Sequence, residues 1–285
     1  MKVRKAVIPA AGLGTRMLPA AKSVPKELLP LVDRPVLEYI VREAAAAGIE
    51  DILIITNRGK EAIEDYFDYA PALEASLAAA GKTHYLDEVR APAELANISF
   101  LRQKETRGLG HAVWCARSFV GDDPFAVLLG DDVMRAETPV IGQLIEAATR
   151  YRASAVGVQE VSPEAIAKYS SVKVSPLGGR VYDVTDMVEK PRPEEVFSLY
   201  AILGRYVLTP AIFDILRDQK PGYGGEVQLT DGLKTLCRKE RMVAVDFEGR
   251  RFDTGNLRGF LEATLAFALC HPETGAWLRE YLKTL

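Results

Sequence analysis

Cysteine, histidine and tryptophan are scarce in this 285-residue chain, at three, three and two residues. Cys115, Cys237 and Cys270 are odd in number and far apart, which excludes a disulfide framework. His84, His111 and His271 form no ligand-spaced cluster with them, so zinc is not expected and a reducing cytoplasm is the expected compartment. A dominant charge is also lacking. Thirty-six basic against 39 acidic residues leave a net charge of −3, which offers no field for nucleic acid or an anionic membrane. No apolar run approaches the ~18–20 residues that span a bilayer. The basic start Met1–Lys5 leads into an apolar run that breaks at Gly12 and Arg16, as a strand entering a loop does and a signal peptide does not. The remainder is ordinary in bulk: 48% hydrophobic and 26% charged, ample for a sizeable core in one large or two smaller α/β domains.

Strand-like and helix-like patterns alternate through the first half. Strands are expected at Lys5–Ala10, Asp51–Thr56, Ile98–Arg102 and Phe125–Leu129, and helices at Val36–Ala47, Lys60–Tyr66, His111–Phe119 and Val140–Tyr151. Val36, Leu37, Ile40, Val41 and Ala44 give the first helix one apolar face, and Gly48 ends it. Near-continuous apolar strands separated by helices argue for a parallel sheet covered on both faces. The second half is richer in strands: Ser154–Val161, Val172–Ser175, Arg180–Val188, Leu199–Leu208 and Met242–Phe247. A helical segment from Leu257 to Leu285 closes the chain, and two packed halves are expected rather than two separable domains.

The chemistry gathers at strand ends. The apolar run Ala6–Ala11 ends in Gly12-Leu13-Gly14-Thr15-Arg16, followed by Lys22 and Lys26. Small residues let backbone N–H groups approach an anion, and the three cations can neutralise several phosphate charges. A polyphosphate site is therefore expected at the carboxyl end of the first strand. The dinucleotide fingerprint fails because Met17 holds its third glycine position. A Walker A loop fails because Ser76 stands where the first glycine would precede Gly81-Lys82-Thr83. Three more polar signals follow strands: Gly130-Asp131-Asp132, Glu189-Lys190-Pro191 and Arg251-Phe252-Asp253-Thr254-Gly255. Singly, each reads as a helix cap or a solvated ion pair. Four together at strand ends, with phosphate-type cations at the first, point to a site.

These residues resemble a family. G-L-G-T-R-M-L-P-x-x-K-x-x-P-K-E, R-G-L-G-H-A-V, G-D-D, V-E-K-P, G-R-Y-V-L, G-G-E-V-Q-L-T-D and F-D-T-G-N are similar to the bacterial sugar-1-phosphate nucleotidyltransferases, over about Val3 to Tyr281. Within that family the stretch Tyr66–Val89 resembles the branch that uses UTP and glucose 1-phosphate. The resemblance implies an α/β fold with a Rossmann-like, doubly wound, mixed and mostly parallel sheet. Residues 1–135 would form a nucleotide-binding half, 136–256 a strand-rich half for the sugar phosphate, and 257–285 the C-terminal helices. It implies a homodimer or homotetramer, without nucleic-acid or membrane partners.

The implied reaction is attack of a sugar phosphate on the α-phosphorus of a nucleoside triphosphate, with Mg2+ held by Asp131 and Asp253. The resemblance assigns Arg16 and Lys26 to the leaving phosphates, and the backbone of Ala11, Gly12, Leu13, Gly14 and Thr15 to the nucleotide. Gln103, whose amide carries both a donor and an acceptor, reads the uracil edge, and Gly108 admits the base. Glu27 either touches the ligand or orients Lys26. Lys190 holds the sugar phosphate, Glu189 and Glu226 face the sugar, and Asp132 is a supporting carboxylate or a helix cap. Thr230 and Asp231 are alternative caps for the helix near Gly232, and His111 serves a helix start. The pattern departs in the sugar half. Ser170 stands in Tyr169-Ser170-Ser171 where a glycine is common, Leu199 replaces an asparagine, and Leu257-Arg258 replaces a lysine-containing pair. Rivals to this reading are another sugar phosphate, dTTP in place of UTP, and a silent paralogue that binds a UDP-sugar.

Overall fold

A computed structural model describes all 285 residues. The strands are β1 Lys5–Pro9, β2 Pro30–Leu31, β3 Arg34–Pro35, β4 Asp51–Thr56, β5 Asn97–Arg102, β6 Phe125–Leu128, β7 Asp132–Arg135, β8 Ser154–Glu160, β9 Ser170–Gly178, β10 Val181–Glu189, β11 Tyr200–Leu208, β12 Met242–Asp246 and β13 Arg250–Asp253. Helices α1 Val36–Ala46, α2 Glu61–Phe67, α3 Pro71–Ala79, α4 Thr83–Arg90, α5 Leu109–Cys115 and α6 Arg117–Val120 belong to the first half. They are followed by α7 Val140–Tyr151, α8 Ala211–Asp218, α9 Leu229–Leu236, α10 Leu257–Ala268 and α11 Gly275–Leu282.

One nine-stranded sheet, ordered β5-β4-β1-β6-β11-β8-β12-β10-β9, runs through both halves. Its first four strands are mutually parallel. The expectation of a mostly parallel sheet needs correction beyond them. β11 is antiparallel to both β6 and β8, and β10 is antiparallel to both β12 and β9. The sheet then curls until β9 meets β11 at Ser171 and Ala201, giving a small barrel-like end. The β9–β10 hairpin turns through Gly178 and Gly179 and needs no helical crossover, so two strands follow one another directly here.

The sheet is covered on both faces. In β1, Ala6 and Ile8 enter a core that contains the apolar faces of α1 and α7, whereas Val7 enters the opposite core with α5, α8 and α9. That period of two is what a buried strand dictates. The expected helix His111–Phe119 is in fact two short helices, α5 and α6, that meet at Ala116.

Arg205 joins the halves. It is completely buried on β11, donates from Nε and Nη2 to Glu43 of α1 at 3.0 and 2.7 Å, and donates to the backbone oxygen of Asp132 at 2.8 Å. Replacing Arg205 by Met would leave Glu43, whose side chain is 9% exposed, without its counter-charge. The expected loss is about 3–5 kcal/mol of stability, measurable by urea unfolding.

Candidate active site

A cleft of about 1140 Å³ lies outside the carboxyl ends of β1, β5 and β6, where open α/β sheets bind ligands. Ala11, Gly12, Leu13, Thr15, Arg16, Lys26, Glu27, Gln103, Gly108, Asp131, Lys190, Glu226 and Asp253 all line it. Gly14, Ser170 and Glu189 do not. Gly14 turns the loop at φ +69°, and a Cβ there would sit 3.2 Å from Ala21, so glycine serves the turn rather than the wall.

The glycine loop is tied from behind. Lys60 Nζ donates to the Ala10 oxygen at 2.5 Å, and Asn57 Nδ2 donates to the Ala11 oxygen at 2.5 Å. In a trans peptide the N–H points opposite to the C=O, so the N–H groups of Ala11 and Gly12 are turned away from these anchors. Lys60 also donates to both oxygens of Glu27, at 2.9 and 2.7 Å, and Glu27 is only 1% exposed. Burial pushes the Glu27 carboxyl up and the Lys60 ammonium down, and their contact offsets part of both shifts. Glu27 is thus an anchor of the loop as well as part of the wall.

Charge converges beside Gly255. A Cβ on that residue would lie 2.7 Å from Asp131 Oδ2, 2.9 Å from Arg16 Nη2 and 3.1 Å from Asp253 Oδ1. Only a glycine leaves this point free. Lys26 Nζ donates to Asp131 Oδ2 at 2.5 Å. Burial works to raise the Asp131 carboxyl, but Lys26 and then Arg16 outweigh it and hold the group below the ordinary carboxylate range.

Asp132 does not cap a helix, in contrast to one of its expected roles. It opens β7 and takes Nε and Nη2 of Arg251 at 2.7 and 2.6 Å, while Arg251 Nη1 donates to Tyr169 at 3.0 Å. Burial raises its carboxyl to about 6 against the pull of Arg251, with Asp131 and Asp253 adding to the rise.

In the second half of the chain, Lys190 has φ +46° and holds Nζ 4.6 Å from the centre of the Tyr223 ring. Its neighbour Glu189 accepts through Oε2 from Ser170 at 2.5 Å and from Thr230 at 2.7 Å. Thr230 therefore does not cap α9, and neither does Asp231, because the N-cap residue is Gln228 and no side chain caps it. Ser170, Glu189 and Thr230 form one cluster adjoining the cleft residues Tyr169 and Lys190. Glu226 is exposed at the cleft wall and accepts from Gln228 at 3.3 Å.

Asn57, Lys60 and Arg251 carry no assigned role on sequence grounds. An asparagine after a strand and a lysine at a helix start read as loop and solvated face, and only the fold shows them buried under the loop.

The chain matches the family model described as nucleotidyl transferase over residues 5–268. It is 51% identical over 284 residues to a Bacillus subtilis protein named UTP–glucose-1-phosphate uridylyltransferase, covering 100% of this chain and 97% of that one. Among solved structures, a UTP-bound UGPase from Acinetobacter baumannii superposes with a TM-score of 0.93 at 37% identity, covering all of both chains. A UDP-glucose pyrophosphorylase complexed with UDP-glucose gives a TM-score of 0.87 at 40% identity, covering 95% of this chain and 100% of that one.

Proposed function

The chain belongs to the nucleotidyl transferase family, and on that premise we propose that it transfers the uridylyl group of UTP to glucose 1-phosphate. UDP-glucose and pyrophosphate are the products. The observation that carries the mechanism is the meeting of Arg16, Lys26, Asp131 and Asp253 around Gly255 at the mouth of the glycine loop. Phosphoryl chemistry of this kind needs placement and charge neutralisation rather than a covalent intermediate.

In this reading residues 1–135 serve the nucleotide and 136–256 the sugar phosphate, with 257–285 as flanking helices. The N–H groups of Ala11 to Thr15 receive the triphosphate, and Arg16 and Lys26 balance charge on the departing pyrophosphate. Lys190 holds the attacking sugar phosphate in line with the α-phosphorus. Because the phosphate dianion is already the nucleophile, no side chain needs to remove a proton. Glu226 accepts from sugar hydroxyls at the cleft wall, and Glu189, one residue before the cleft-lining Lys190 and with Oε2 fixed by Ser170 and Thr230, has Oε1 left for a further hydroxyl.

Asp131 and Asp253 suit a hard divalent cation by their chemistry, two carboxylates close to Gly255 with phosphates and waters to complete the shell, and Lys26 would have to give up Asp131 Oδ2 to it. The two carboxylates would hold Mg2+, which when bound supplies neutralisation of phosphate charge. The same reading takes the protein as a cytoplasmic homodimer or homotetramer. No helix is long and apolar enough to cross a membrane.

The test is product identification after incubation with UTP, glucose 1-phosphate and Mg2+. Equal amounts of UDP-glucose and pyrophosphate are expected, and chelation of the metal should stop both. Ligand binding without turnover would instead favour a silent paralogue.

A further inference from the structure

Gln103 stands just past the end of β5, only 4% exposed, and its amide nitrogen has two partners. Nε2 lies 3.3 Å from the carbonyl oxygen of Gly108 and 2.9 Å from Nδ1 of His111. A carbonyl can only accept, so the group facing Gly108 is the NH2 end of the amide. The second amide hydrogen then points at His111, whose Nδ1 must accept it. That fixes the imidazole as the neutral form with its proton on Nε2. Both donors of Gln103 are thereby engaged inside the protein, and no protein group bonds its Oε1. In this arrangement the amide offers a ligand an acceptor alone, where the sequence reading expects both a donor and an acceptor.

We propose that His111 is a positioning residue that locks Gln103 as an acceptor toward the base, so that the cleft selects a pyrimidine with an N3–H over one with a bare N3. The proposal rests on the uridylyl reading above. Uracil presents N3–H to Oε1. Cytosine presents an unprotonated N3, and two lone pairs then face each other in a buried place. Rotating the amide to rescue cytosine would set Oε1 against the Gly108 carbonyl oxygen and would oblige His111 to move its proton from Nε2 to Nδ1.

The lock is held from behind. Gly108 has φ +106°, and a Cβ there would lie 2.8 Å from the Val227 oxygen, so only glycine fits. The segment is tied by Val227 N–H to the Arg107 oxygen and by Gly110 N–H to the Val227 oxygen, both at 2.8 Å. The Gly108 carbonyl also accepts the Ala112 N–H at 3.1 Å in the first turn of α5. The ring of Trp114 stacks on His111 at 5.9 Å, and Cys115 Sγ is 4.0 Å from the far ring nitrogen. The charged groups acting on the imidazole are Arg107 and Glu105. Burial first, and Arg107 second, hold its pKa below the usual 6.5 against Glu105, which favours the accepting form at neutral pH.

The test measures pyrophosphate release with saturating glucose 1-phosphate, comparing UTP with CTP in the wild type, His111→Leu and His111→Asn. The leucine variant should lose about tenfold of the UTP-over-CTP ratio in kcat/KM, chiefly through the KM for UTP. Asparagine can offer Oδ1 where Nδ1 stood, and should restore most of the ratio. In the wild type the KM for UTP should rise as pH falls below the imidazole range, and that rise should flatten in His111→Asn. An unchanged ratio in a folded His111→Leu overturns the proposal, as does an asparagine variant no better than leucine. Should the leucine variant fail to fold, an acid-side rise that persists unaltered in His111→Asn overturns it alone. If the wild type releases no pyrophosphate from UTP, the uridylyl reading fails instead, and calorimetric binding of UTP and CTP to the same proteins still tests the lock.

Discussion

The two walls of the cleft are built differently. On the side proposed for the nucleotide the anchors are buried: Glu27 at 1% exposure, Gln103 at 4% and Lys60 at 6%. Each is bonded to backbone carbonyl or to a second buried group, so the loop and the amide are set before any ligand arrives. On the side proposed for the sugar, Ser170 and Thr230 are buried behind Glu189, but Tyr223 is 57% exposed, Glu226 is exposed, and the flanking Gly224 and Gly225 take positive φ. Groups held in solvent on a glycine-rich turn can shift at small cost, whereas groups tied in the interior cannot. On the proposed assignment of the walls, the buried anchors would make nucleotide choice the stiffer of the two, and sugar choice would depend more on the exposed turn at Tyr223–Gly225.

Four changes break or sharpen that contrast. Asp131→Asn is nearly isosteric, yet it removes the charge shared by both walls at the reacting point. Turnover should fall roughly a hundredfold or more at saturating Mg2+ with the fold intact by circular dichroism. Near-normal turnover would remove Asp131 from the centre of the site. Lys60→Met touches no ligand in this account but frees the carbonyl of Ala10 and unpairs Glu27. The KM for UTP should rise about tenfold or more while the KM for glucose 1-phosphate stays within about twofold. If both constants rise together, the anchor serves the whole cleft and the contrast fails.

Lys190→Ala removes a charge-assisted contact on the open wall. Its expected effect is about a tenfold higher KM for glucose 1-phosphate with UTP binding preserved, read by initial rates and by calorimetry. Collapse of UTP affinity would reverse the assignment of the walls. The smallest effect is expected from Ser170→Gly. It deletes one of the two hydroxyls that fix Glu189 Oε2, leaving the bond from Thr230 at 2.7 Å. Preference among sugar 1-phosphates should soften by about two- to tenfold, with UTP kinetics unchanged.

Much of the frame is legible in the chain. The apolar run into Gly12-Leu13-Gly14, the cations behind it and the acids at 131 and 253 stand out only in combination, because each alone has an ordinary use as a turn, a cap or a solvated charge. The helix α1 and strands β1, β4 and β6 follow from periodicity, with bounds within a residue or so. What stays hidden is long-range. Lys60 bonds Glu27 across 33 residues, Arg251 bonds Asp132 across 119, and Arg205 bonds Glu43 across 162. Local pattern carries no information on such pairs. Arg205 did leave a mark, an arginine inside the apolar strand Tyr200–Leu208 that had to find a buried partner. The strands β7 and β13 have no such mark, because each is four residues long and rich in charge.

The most direct test is a grid of kcat/KM values for pyrophosphate release, with nucleoside triphosphates along one axis and sugar 1-phosphates along the other. A rigid nucleotide wall facing an adaptable sugar wall predicts UTP with glucose 1-phosphate as the fastest pair, a steep fall across nucleotides and a gentler one across sugars. A grid that is flat across nucleotides and steep across sugars, or that peaks at another pair, would contradict it.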